Sequence, residues 1–163
     1  MNRQTHPSDR LVSILVLESG RHWLGGLRRF APLNPVIAVL DLEDLEAELA
    51  DRTGAIACLE IDLTAPRWER RLTWVWEHRN NPWQACIFAV GDARLEQSAV
   101  GLNRAGFHHV FPGFGSLVQL PKIIERHQQR VVWPPETLEQ QIQNRLPWHP
   151  VPKPAPSNRS TEC

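Results

Sequence analysis

Five short apolar runs, at residues 11–17, 35–40, 55–59, 85–90 and 109–111, each close in a polar or turn-forming residue, and most are followed by a helix-like stretch. Few features constrain a fold more. Strand signals alternating with helix signals call for an α/β domain whose parallel sheet is covered by helices on both faces. Sheets of this kind place their working residues just beyond the carboxyl ends of the strands. Here those ends read Glu18-Ser19, Asp41, Glu60-Ile61-Asp62, Gly91-Asp92 and Pro112-Gly113. The set holds acidic groups but no evident nucleophile, general base or phosphate cradle.

The intervening stretches set the helices. Trp23, Leu27 and Phe30, widened by Leu24, recur at helical spacing over 21–30. Gly25-Gly26 in the middle costs this helix about 1.5–2 kcal/mol against two alanines, so a close packing neighbour is required. Gly20, Gly25 and Gly26 do not form either glycine-rich phosphate-binding pattern. An acidic helix over 43–52 stops at Gly54, and a fourth helix carries Leu95, Ala99 and Leu102 inward and closes at Gly106. A fifth, over 116–132, turns Leu117, Leu120, Ile124 and Val131 inward. In the third helix, 67–79, the wheel puts Trp68, Leu72, Val75 and Trp76 on one face. That leaves Trp74 facing outward among Arg67, Arg70, Arg71 and His78. Trp and Arg are enriched at binding hot spots, so these five are the partner-binding candidates; arginine stacking over a solvent-facing ring is the plainer reading.

Pro134-Pro135 marks a boundary after a domain spanning 10–133. Leu138, Ile142 and Leu146 suggest a short accessory helix over 134–147, and the Pro-rich, polar stretch 148–163 reads as a disordered tail. Eighteen basic and eighteen acidic residues cancel, without a like-charged arm for nucleic acid or membrane. The polar start and the short first apolar run fit neither a signal peptide nor a membrane span, so a cytoplasmic location is expected. Cys58 and Cys86 lie inside strand runs and are expected to pack as small hydrophobes; no zinc-ligand spacing occurs, so neither metal nor cofactor is expected. His108-His109 alternate faces on a short strand and cannot share a metal without further ligands.

In order and length these units resemble the receiver domain of two-component response regulators. The resemblance rests on ILVLES at the first strand end, AIACLEIDLTAP at the third, CIFAVGD at the fourth and the junction RAGFHHVF. It covers about residues 10–132 and implies a flavodoxin-like three-layer sandwich with a five-stranded parallel sheet of order 2-1-3-4-5. It also implies a phosphorylation site, and there this chain departs from the pattern. The acidic pair that holds Mg²⁺ is matched by Glu18 followed by Ser19. The phospho-accepting aspartate aligns with Glu60, whose longer side chain displaces the carboxylate from the geometry octahedral Mg²⁺ demands. The hydroxyl residue is matched by Val90, and the lysine is replaced within Phe111, Pro112 and Gly113.

The expectation is therefore a degenerate receiver: not an enzyme, but a protein-binding module in signal transduction, acting on a signalling partner or on itself as a homodimer. It should not contact nucleic acid directly or bind a membrane. Glu60 holds the degenerate phospho-acceptor position, and Glu18, Asp62 and Asp92 form a residual acidic pocket. The alternative is a flavodoxin-like small-molecule or nucleotide-binding domain using the strand-end crevice.

Overall fold

A computed structural model describes residues 11–20, 22–80 and 82–131. The expected accessory helix at 134–147, the tail at 148–163 and Cys163 lie outside the described residues. The elements run β1 (Ile14–Leu17), α1 (His22–Phe30), β2 (Val36–Ala38), α2 (Leu42–Asp51), β3 (Ile56–Glu60), α3 (Trp68–Glu77), β4 (Cys86–Gly91), α4 (Leu95–Ala105) and β5 (His109–Pro112), then a 3-10 turn (Phe114–Gln119) and α5 (Leu120–Arg130). All strand pairs are parallel, in the order 2-1-3-4-5.

The unbroken apolar runs have a simple cause. Successive strand side chains point to opposite faces, and here both faces are buried. Leu15, Leu17, Ala57, Leu59, Ile87 and Ala89 face one core with Leu45, Leu49, Val75, Leu95 and Leu102. Ile14, Val16, Ile56, Cys58, Phe88 and Val90 face the other with Trp23, Leu27, Leu117, Leu120 and Ile124. Cys58 and Cys86 are free and buried, as expected. Burial pushes the Cys58 thiol far above its ordinary range and the Cys86 thiol up to about 12, so neither is a thiolate near neutrality.

Local chemistry fixes several boundaries. Asp41 caps α2, its carboxylate accepting from the Asp44 amide at 2.9 Å. Gly106 ends α4 at φ +120°, a conformation that L side chains rarely adopt. The weak double glycine of α1 has the neighbour it needs: a Cβ on Gly26 would stand 2.8 Å from the Phe114 ring. Phe114 in turn stacks on Trp23 with centroids 4.4 Å apart. Helix five differs from the sequence expectation. Its first turn is the separate 3-10 segment, and α5 proper begins at Leu120 with Pro121 in its opening turn, where a missing N–H costs nothing.

Helix α3 departs further. Trp74 is buried at 5% exposure, whereas Trp76 is the exposed tryptophan, covered on one side by the Arg79 guanidinium 4.4 Å from its ring. The inner face is rotated toward Arg71, Trp74, Val75 and His78: Val75 packs in the apolar core, and polar partners wait for the other three. The Trp74 indole N–H donates to Glu46 on α2 at 2.6 Å, and its ring stacks on His78 and Trp83. Trp74 is thus a core residue, and the outward orientation expected from the helical wheel is corrected.

At the end of β4, a Cβ on Gly91 would lie 2.6 Å from the Ile61 carbonyl oxygen and 2.6 Å from Leu95 Cδ1. Because one of these is backbone, Gly91→Ala is expected to cost about 1–3 kcal/mol, read as a lower urea midpoint with unchanged slope.

Candidate functional site

The strand ends carry four carboxylates that sequence reasoning placed in or beside one pocket; the structure sorts them. Glu18 leaves β1 and turns back over α1, where Oε2 accepts from the Trp23 amide at 2.6 Å and Oε1 from the Leu24 amide at 3.0 Å. It caps the helix and complements the positive end of its dipole. Glu60, ending β3, points its carboxylate at the neighbouring strand end and accepts from the Ser19 amide at 2.6 Å.

Arg71 comes in from α3 to the same place. Its guanidinium donates to the main-chain carbonyl of Glu60 and approaches Ser19 Oγ at 3.4 Å. Burial lowers its pKa from the ordinary arginine value while the Glu60 charge opposes that shift. A cationic group is therefore built in beside Glu60 at the end of β3. Asp62 accepts from both the amide and the hydroxyl of Thr64, at 2.9 and 2.6 Å, and these bonds hold its carboxyl below the usual range. Asp92 is tied to Arg94 through the amide at 2.8 Å, Nε at 2.9 Å and Nη2, and is lowered by the same bonds.

Glu60, Asp62 and Asp92 line a common crevice of about 410 Å³ with His22, Trp23, Gly91 and Phe114. Glu18 does not line it, so of the expected residual acidic pocket Asp62 and Asp92 stand here beside Glu60, and Glu18 stands apart. Val90 is fully buried under the sheet, and the residue that faces the crevice from β4 is Gly91. Neither offers a hydroxyl. Phe111 is buried too, so Gly113 and Phe114 form the crevice wall after β5. A second cavity of about 320 Å³ shares Glu60, Asp62 and His22 and is closed by Ser19, Arg67, Trp68 and Arg71. Among the described residues no three His, Cys, Asp or Glu side chains are grouped so as to hold a metal ion.

The partner-binding candidates are dispersed. Arg67, Arg70 and Arg71 line a cavity of about 250 Å³ against Asp41 and Glu43. His78 stacks on Trp74 and Trp83, with Nε2 3.4 Å from the Glu46 carboxylate. Sequence reasoning missed Arg71 as a strand-end residue, although its position four before Val75 puts it on the inner stripe. It also missed the Trp23–Phe114 wall, for which no local signal exists. Among the described residues no helix is long and apolar enough to cross a membrane.

No protein-family model matches the chain, and no curated protein matches it. Solved structures do. The receiver domain of NtrX from Brucella abortus aligns with a TM-score of 0.54 at 17% identity, over 72% of this chain and 99% of that one. A putative pilus assembly-related protein from Burkholderia pseudomallei aligns at 0.53 and 17%, over 72% and 91%. NtrX of Brucella abortus in complex with ADP aligns at 0.57 and 12%, over 83% of this chain but only 29% of its own length. At such identities the likeness concerns the fold: this is a receiver-like, flavodoxin-type sandwich.

The sorted tryptophans give a stability contrast. Trp74→Ala removes a buried ring and leaves Glu46 without its donor, and is expected to cost about 3–5 kcal/mol in denaturant unfolding. Trp76→Ala is expected to stay within about 1 kcal/mol.

Proposed function

We propose that this chain is a receiver-like module of signal transduction that works by binding another protein, or a second copy of itself, without accepting a phosphoryl group. One observation supports this reading above the others. The position corresponding to the phospho-acceptor holds a glutamate already bonded to the Ser19 amide, with the Arg71 guanidinium on its own carbonyl. A receiver that relays phosphate needs Mg²⁺ between acids and an acceptor oxygen free for attack. Here Glu18 is engaged with α1, Glu60 with Ser19, and an arginine stands close by. Mg²⁺ holds its octahedral ligands to strict distances, so the acids would first have to abandon these donors.

Such a module keeps one constitutive conformation. In switching receivers, charge at the acceptor is read by a hydroxyl and an amine that then move; the positions equivalent to these are Val90 or Gly91 and the Phe111–Gly113 segment. Nothing in that set can register a new charge by forming a hydrogen bond from its side chain. With Trp74 buried, the exposed end of α3 and the turn that follows it offer Trp76 and Arg79 to a partner.

A second reading draws on the crevice itself. Its volume of about 410 Å³ and its Trp23–Phe114 wall suit a small planar ligand, as in other folds of this class. A thermal-shift screen with flavin mononucleotide and adenine nucleotides separates the two: a saturable rise in melting temperature favours the ligand-binding reading.

The direct test is incubation of the purified protein with acetyl phosphate and Mg²⁺, followed by intact-mass spectrometry. No phosphoryl adduct is expected. A stoichiometric adduct that disappears in Glu60→Ala would overturn the proposal.

A further inference from the structure

At the opposite end of the sheet from the crevice, the strands β4 and β5 begin against the last turns of α5. A cavity of about 290 Å³ opens there. Its wall carries Arg126, His127 and Arg130 from α5, His109 from the start of β5 with His108 just before it, and Cys86 from the start of β4. Among the described residues no aspartate or glutamate lines it. In a chain with equal numbers of acids and bases, a concave site furnished by α5 and the start of β5 with two guanidiniums and three imidazoles is a marked local imbalance. We infer that this cavity is an anion-binding site for a small phosphoryl- or sulfuryl-type oxyanion group, distinct from the strand-end crevice and unrelated to phosphoryl transfer.

The chemistry of the donors carries the assignment. Arg126 and Arg130 lie one turn apart on α5 and supply planar, multiply donating groups that fit tetrahedral oxyanions. The imidazoles have defined roles. The Ile87 amide donates to His108 Nδ1 at 3.0 Å, which fixes the proton of the neutral ring on Nε2 and makes that atom a donor. His127 Nε2 lies 2.8 Å from the Gly54 carbonyl and must donate to it, leaving Nδ1 as its site of protonation. His109 packs edge-on against Phe88.

Burial lowers all three histidines below their ordinary value, and for His109 the neighbouring His108, Arg126, Arg130 and His127 lower it further. Cys86, the remaining titratable group of the wall, stays a neutral thiol. An anion relieves this mutual repulsion, and so binds best when His109 and His127 are protonated. His108 contributes less to the pH response, because protonating Nδ1 would forfeit the Ile87 bond. The sign for the ligand-free fold is opposite. Groups whose folded pKa is depressed take up protons first in the unfolded chain, so stability falls as the pH drops through about 6.5. Bound anion should offset part of that fall.

Sulfate is the probe of choice, since its charge does not change between pH 5.5 and 7.5; inorganic phosphate and malonate serve as comparisons. Titrations of the full chain at constant ionic strength are followed by amide chemical shifts. Saturable shifts centred on Ile87, His108 and the end of α5 are expected, with binding at least severalfold tighter at pH 5.5 and weakened about tenfold in Arg130→Gln. Arg126 and Arg130 are exposed, so their replacement should leave the fold intact, and Arg28→Gln on α1 is the charge-matched control with unchanged binding. Shifts that fail to saturate, that ignore pH, or that survive in the Arg126→Gln/Arg130→Gln double variant overturn the site. Tighter binding of malonate than of sulfate or phosphate overturns the phosphoryl- or sulfuryl-type class in favour of a carboxylate.

Discussion

The reach of Arg71 from α3 to the ends of β1 and β3 is the interaction on which the rest of the functional end depends. A parallel sheet finishes in a row of main-chain carbonyls and amides that no further strand pairs, and these must find partners. In this chain the guanidinium takes the Glu60 carbonyl and approaches the Ser19 hydroxyl, while the Glu60 side chain takes the Ser19 amide. Two strand ends and one helix are thereby knitted together. With Arg71 turned inward, α3 settles with Trp74, Val75 and His78 toward the domain and Trp76 toward solvent. The orientation of the helix and the bonding of the β3 strand end are one event.

The same economy of partners runs through the other acids. Glu18 serves the amides of α1, Asp62 serves Thr64, and Asp92 serves Arg94. Each carboxylate is claimed by a donor within a few residues in sequence or in the adjoining strand. The crevice is then walled on its remaining side by Trp23 and Phe114, whose stacking rests on the absence of a side chain at Gly26. The double glycine that weakens α1 in isolation is what lets the 3-10 turn come close.

The layered fold was plainly legible in the sequence, because strands buried on both faces must be continuous apolar runs and their separation leaves room only for crossover helices. Glu60, Asp62 and Asp92 were legible for the same reason: a strand end is where a run stops. What failed was finer. The helical wheel of α3 was centred on its aromatic residues, yet a tryptophan or an arginine can sit on an inner face once a specific acceptor awaits it, and Glu46 and the Glu60 carbonyl are acceptors that only the tertiary fold supplies. Glu18 was misread likewise, since its capping of α1 depends on how the chain turns after Ser19. The Trp23–Phe114 contact joins residues too far apart in sequence for any periodicity to reveal.

The central claim, proposed from this geometry, is that the acidic end of the sheet is balanced from within by hydrogen bonds and Arg71 rather than by a divalent cation. Paramagnetic broadening of amide signals by Mn²⁺ tests it most directly, because the effect is local and needs no activity. The account predicts no selective broadening of Ser19, Glu60, Asp62 and Gly91 at sub-stoichiometric Mn²⁺. Selective loss of those signals at such concentrations, reversed by excess Mg²⁺, would contradict it.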